Sequence, residues 1–193
     1  MNCADCQDKE CYQGKDCFGI ADSVKEQKLD QTTLKIIKLA SEIEAKYYMK
    51  FTRLEELIIF SKKMGYKRLG IAFCVGFENE AKILQKLLKK HFKVESVCCK
   101  VGGVEKEFYD MPKIKCDRYE AMCNPLAQSM ILNKEKTDLN IILGLCMGHD
   151  ILFTKSSKAP VTTLVVKDRV LAHNTVGALY SKYYQNKLSQ FEV

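Results

Sequence analysis

Leu69-Gly-Ile-Ala-Phe-Cys-Val75, closed off by Gly76, carries no polar side chain on either of its two faces. A short apolar run of this kind reads as a strand buried on both sides, the pattern of a parallel sheet covered by helices. The residues after it agree. From about Glu78 to His91 the apolar positions Ala81, Leu84, Leu87, Leu88 and His91 fall on one helical face, where His91 reads as a core or capping residue. Val94 to Cys98 reads as a second strand, followed by an irregular stretch from Gly102 to Arg118. Pro125 suits the first turn of a helix reaching about Lys134. Leu139–Leu143 reads as a third strand, His149–Lys155 as a short helix and Val161–Val166 as a fourth strand, with a last short strand expected through Leu171.

Upstream, Ile36, Leu39, Ala40, Ile43 and Tyr47 recur at helical steps, with Asp30 available as a cap, and Leu54, Leu57 and Ile58 continue the pattern to Gly65. This segment predicts one long helix, or two with a joint near Tyr48. The expected architecture is a three-layer α/β sandwich around a mostly parallel sheet of about four to five strands. A helical segment and a small cysteine-rich knuckle precede it. Residues 1–20 are read as the knuckle and residues 21–193 as the α/β domain.

The chain has 193 residues, 47% of them hydrophobic and 28% charged, enough for one core without disulfide staples. No apolar run approaches the ~18 residues of a membrane span. The polar, cysteine-rich start predicts no signal peptide, and the ten cysteines then predict thiols in the reducing cytoplasm. The net charge of +7 is uneven: residues 1–30 carry seven acids and four bases, leaving +10 on residues 31–193. Much of that excess is lysine on helix faces, arginines number four, and tryptophan is absent, so neither nucleic acid nor membrane is an expected partner.

Cys3, Cys6, Cys11 and Cys17 follow a C-x2-C-x4-C-x5-C spacing in a segment with almost nothing to bury. Such a segment needs something else to order it, and four thiolates suit either tetrahedral zinc or a 4Fe-4S iron-sulfur cluster. Spacing does not choose between them; the structural role leans slightly to zinc.

The remaining cysteines cluster at strand ends. Cys74 closes the first strand, Cys98 and Cys99 the second, and Cys146 lies just past the third. In a parallel sheet those ends share the edge where open α/β folds bind ligands. Strand alternation sends at most one of Cys98 and Cys99 toward a crevice there. Cys123 precedes a helix start, where backbone N–H groups favour thiolate. Gly144-Leu-Cys-Met-Gly-His-Asp150 adds His149 and Asp150, and His173 follows the fourth strand. Cys74, Cys99, Cys123, Cys146, His149 and His173 are therefore candidates for a second site, as ligands or reactive thiols. If the site is catalytic, Cys146 is the expected nucleophile, His149 its base and Asp150 an orienting group. Buried cysteine also packs as a small hydrophobe, the competing reading for Cys74 between Phe73 and Val75.

Taken in order, the four-cysteine run, Gly70-Ile-Ala-Phe-Cys-Val-Gly76, Ser96-Val-Cys-Cys-Lys100, Cys123-Asn-Pro125, Gly144 to Asp150 and Lys167-Asp-Arg-Val-Leu-Ala-His173 resemble a family of uncharacterised prokaryotic proteins described as predicted metal-binding. The resemblance spans essentially the whole chain and implies metal binding without a defined reaction. The sequence thus points to a metal-binding protein of redox type, partnered by a metal ion and by a small-molecule or redox partner. The alternative is a non-enzymatic metal carrier, sensor or scaffold. Whether it turns over a substrate is open at this point, and no dinucleotide fingerprint or P-loop is present.

Overall fold

The computed structural model describes residues 2–191. Two short 3-10 turns, Cys3–Asp5 and Glu10–Gln13, open the chain. Helices α1 (Ala21–Glu26), α2 (Gln31–Tyr47) and α3 (Arg53–Met64) follow. Asp30 caps α2, accepting hydrogen bonds from the Thr32 and Thr33 N–H groups at 2.9 and 3.0 Å. The expected joint is real. Met49 turns left-handed at φ 57°, and a reciprocal capping box between Thr52 and Glu55 starts α3 afresh.

Then come β1 (Arg68–Phe73), α4 (Glu78–Leu88), β2 (Lys93–Cys98), α5 (Pro125–Lys134), β3 (Leu139–Leu143), α6 (His149–Ser156) and β4 (Val161–Val165). Two short helices, α7 (Val176–Tyr180) and α8 (Lys182–Ser189), end the described chain. All four strands are parallel, in the order β2-β1-β3-β4. The chain leaves β1 toward one edge through α4, then crosses back over β1 through α5 to reach β3. With right-handed crossovers, α4 lies on one face and α5 and α6 on the other. The contact between α5 and α6 agrees with this placement. The strand order reverses between β1 and β3, so their C-terminal ends diverge and leave a crevice.

The core is formed by Leu69, Ile71 and Ala72 of β1, Ile141 to Leu143 of β3, and Leu88, Leu132 and Phe153 from the helices, all buried. One polar side chain lies among them. Asn140 is fully buried in β3, accepting from Thr137 Oγ1 and donating to Ser157 Oγ, each at 2.8 Å. It stands opposite Gly70 in the register, where a Cβ would lie 2.1 Å from its Oδ1.

Two expectations differ from the structure. The last short strand through Leu171 is instead a turn, because the Asp168 carboxylate accepts from the Val170 and Leu171 N–H groups at 3.0 and 2.9 Å. His91 lies past the end of α4 and is exposed: the helix stops at Leu88, and Phe92 takes the buried position.

Candidate redox-active thiol site

The ends of β1 and β2 each deliver one thiol to the crevice. Cys74 follows β1 and its N–H bonds Leu143 O of β3 at 3.2 Å; Cys99 follows β2 and its N–H bonds Phe73 O at 2.8 Å. Parallel register sets Phe73 beside Cys98, so Cys74 and Cys99 are side by side. The Asn124 N–H donates to Cys99 O at 2.7 Å, which brings Cys123 to the same place. Asn124 itself caps α5, accepting from the Ala127 N–H at 2.9 Å. Behind them, fully buried Gln128 donates through Nε2 to Phe73 O and Val97 O at 3.1 and 2.7 Å, tying the ends of β1 and β2 together.

The result is a row of three cysteines with Cys99 in the middle, next to both Cys74 and Cys123. Cys74 and Cys99 are buried and Cys123 is half-buried. The Cys99 thiol, then Lys167, hold the Cys74 thiol down at about 4 against the opposing effect of burial. The Cys99 thiol likewise holds Cys123 down at about 5, helped by the Lys100 ammonium and by His149. Cys99 moves the other way: its two sulfur neighbours and burial all favour its protonated form. The Val75 N–H donates to Cys99 Sγ at 3.3 Å and fixes the sulfur's position.

The cations come from the Lys167–His173 motif, of which the sequence reading took only His173 into the site. Lys167 Nζ donates to Cys74 Sγ and lies 3.6 Å from Cys146 Sγ, and Arg169 Nη2 lies 3.2 Å from Cys146 Sγ. The signal was available: Lys167-Asp-Arg169 follows the fourth strand and so stands at the same sheet edge as the thiols. Phe77 supports this corner, with the Lys167 ammonium 5.8 Å and the His173 ring 4.4 Å from its ring centre.

The expected site residues divide accordingly. Cys74, Cys99 and Cys123 are brought side by side, and Cys146 joins them through Lys167. Cys99, and not half-buried Cys98, is the member of its pair that reaches Cys74 and Cys123. His149 acts electrostatically on Cys123, while the side-chain partners of the Cys146 sulfur are Lys167 and Arg169. The Asp150 carboxylate accepts from the Ile151 N–H at 2.8 Å, and His173 Nδ1 accepts from the Asp168 N–H at 3.1 Å. Cys116 is exposed in the irregular stretch before Cys123.

At the N-terminus, Cys3, Cys6, Cys11 and Cys17 all line one pocket of about 360 Å³, with Phe18 and Ile20 beside them. No residue of this segment is buried. Its turns are held by Lys15 Nζ on Asp8 and Glu10 at 3.1 and 2.6 Å, by Lys9 Nζ on Cys3 O at 2.8 Å, and by Asp16, which accepts from three backbone N–H groups. Among the described residues, no three Cys, His, Asp or Glu side chains stand in a ready-made metal-binding arrangement. A larger cavity of about 660 Å³ lies between α2, α3 and β4, and no cysteine or histidine lines it.

Residues 12–164 match the sequence profile of a family described as "Protein of unknown function (DUF1847)". The chain belongs to that family. The DUF1847 match takes in Cys17 and all four crevice thiols and ends before Lys167. A relative from the archaeon Methanocaldococcus jannaschii, titled "Uncharacterized protein MJ0455", is 59% identical over 189 residues, covering 97% of this chain and 98% of its own. No solved structure matches the chain. No helix among the described residues is long and apolar enough to cross a membrane.

Proposed function

We propose that this DUF1847 protein is a metal-binding protein of redox type. In this reading Cys3, Cys6, Cys11 and Cys17 hold one metal centre, and the crevice thiols carry out redox chemistry on a small-molecule or protein partner. The observation that carries the metal half is the N-terminal pocket: four thiols face one space in a segment that buries nothing of its own. Turns of that kind gain their order from a bound ion or cluster, because binding energy replaces the missing core. Zinc with four thiolates and a 4Fe-4S cluster both suit the donor set. A space of about 360 Å³ is generous for a bare ion and leaves room for a cluster. Ten free cysteines suit a reducing compartment, and we place the protein in the cytoplasm.

The second reading, a metal carrier or sensor, draws support from the exposure of Cys3, Cys11 and Cys17. One experiment tests both. The protein is purified anaerobically and analysed for zinc, iron, acid-labile sulfide and visible absorption, before and after competition with a chelator. One tightly retained centre per chain supports the redox-type protein; readily exchanged metal supports the carrier. Metal-free protein whose N-terminal thiols alkylate as freely as those of a short peptide of residues 1–20 would overturn metal binding.

A further inference from the structure

We propose that Cys123 and Cys99 form the thiol/disulfide couple of an exchange reaction whose substrate is a disulfide. The inference rests on the crevice being a reactive-thiol site. It is independent of what the N-terminal cysteines hold.

Three observations carry it. Backbone pairing sets Cys99 between the other two cysteines: the β1–β2 register places Cys74 beside it, and the Asn124 N–H bond to Cys99 O brings Cys123 to its other side. They differ in access: Cys123 is half-buried at the start of α5 and open to a substrate sulfur, whereas Cys99 is 2% exposed and reachable only from within the protein. Their electrostatic surroundings differ too. Cys123 has Lys100 and His149 beside it, and Cys74 has Lys167, while Cys99 has only sulfurs and the Val75 N–H. An accessible attacking thiol on the outside and an enclosed resolving thiol inside are the parts such an exchange requires.

The steps balance. Cys123 thiolate attacks one sulfur of R–S–S–R′; the Cys123–S–S–R bond forms, the S–S bond of the substrate breaks, and R′S⁻ leaves and takes a proton from water. Cys99 then attacks Cys123 Sγ as its thiol proton passes to the departing sulfur, forming the Cys99–Cys123 disulfide and releasing RSH. The substrate disulfide is reduced by two electrons to two thiols, and the protein dithiol is oxidised to one disulfide. A second dithiol, from a small molecule or a protein, reverses the sequence and resets the site.

The test uses the full-length reduced protein with glutathione disulfide as the probe. Samples are quenched in acid over time, and each cysteine is mapped by mass spectrometry, with metal content measured on the same preparation. Expected is a transient glutathione adduct on Cys123 that gives way to a Cys99–Cys123 disulfide and is reversed by dithiothreitol. In Cys99→Ser the Cys123 adduct should persist. Peptide mapping of the wild type decides the matter even if a variant fails to fold. A lasting Cys123 adduct in the wild type, or Cys99 paired with Cys74 in place of Cys123, overturns the proposal. Metal content in the same samples reports on the N-terminal centre separately, so neither failure can be mistaken for the other.

Discussion

Gly144→Ala should destabilise the protein by about 2–5 kcal/mol and disturb the thiol site with it. Two costs add. Gly144 has φ +64°, and an L-residue in that region costs about 1–2 kcal/mol. The new Cβ would also lie 2.0, 2.3 and 2.6 Å from three atoms of the Phe77 ring. Ordinary carbon contact is about 3.5–4.0 Å, so the ring must retreat by more than ~1 Å. Phe77 is only 3% exposed and has no free space to retreat into, and overpacking of this kind costs about 1–3 kcal/mol. Gly148→Ala is the control: its φ is +84°, but nothing lies within 4 Å of its Cβ, so the backbone cost stands alone. Thermal melts in reductant should place Gly144→Ala roughly 4–20 °C below wild type and clearly below Gly148→Ala. Because Phe77 supports Lys167 and His173, alkylation of Cys74 in the folded variant should also change. Equal melting temperatures for the two alanine variants would refute the packing argument.

Alkylation of Cys123 with iodoacetamide, followed from pH 4 to 9 by peptide mapping, should show a midpoint near 5, where an unperturbed thiol titrates near 9. The sign for stability follows: the folded state holds Cys123 ionised where the unfolded chain is protonated, so this group's contribution grows as pH rises toward 9 and is lost as pH falls through about 5. Lys167→Met should raise the midpoint for Cys74, since it removes the ammonium that donates to the thiolate; an unchanged midpoint would leave Cys99 as the whole cause. Thr52→Ala breaks the capping box of α3 and should cost about 1 kcal/mol in urea unfolding, and a loss under ~0.3 kcal/mol would show that the joint is held by packing alone.

The sheet was legible because its strands are short apolar runs, and β3 in particular is buried at every position. The helix joint at Tyr48 and the gathering of thiols at strand ends were legible for a related reason: both follow from periodicity and from the geometry of parallel connections. What the sequence concealed depends on long-range placement. The residues after Val166 read as a turn into a last short strand, and only the continued turn around Asp168 aims Lys167 and Arg169 at the sulfurs. His91 continues the helical spacing of α4, yet the helix ends one turn earlier and the next aromatic, Phe92, takes the buried place. Periodicity alone could not separate Cys123 from Cys146 either. That distinction comes from the Asn124 hydrogen bond to Cys99 O, a contact between segments 25 residues apart.

The buried pair formed by Gly70 and Asn140 constrains how this chain can change over time. Asn140 is locked by Thr137 and Ser157, and its oxygen occupies the space that any larger residue at position 70 would need. Exchanging Gly70 alone forces a Cβ onto that oxygen; exchanging Asn140 alone removes the buried hydrogen bonds it makes with Thr137 and Ser157. Each single step costs stability that a joint step recovers, so the two positions should drift as one. In a library randomised at both, survivors should be compensated pairs, with small-plus-amide giving way to larger-plus-apolar. The two halves of the sheet then carry a shared memory of their sequence history, written across β1 and β3 some 70 residues apart.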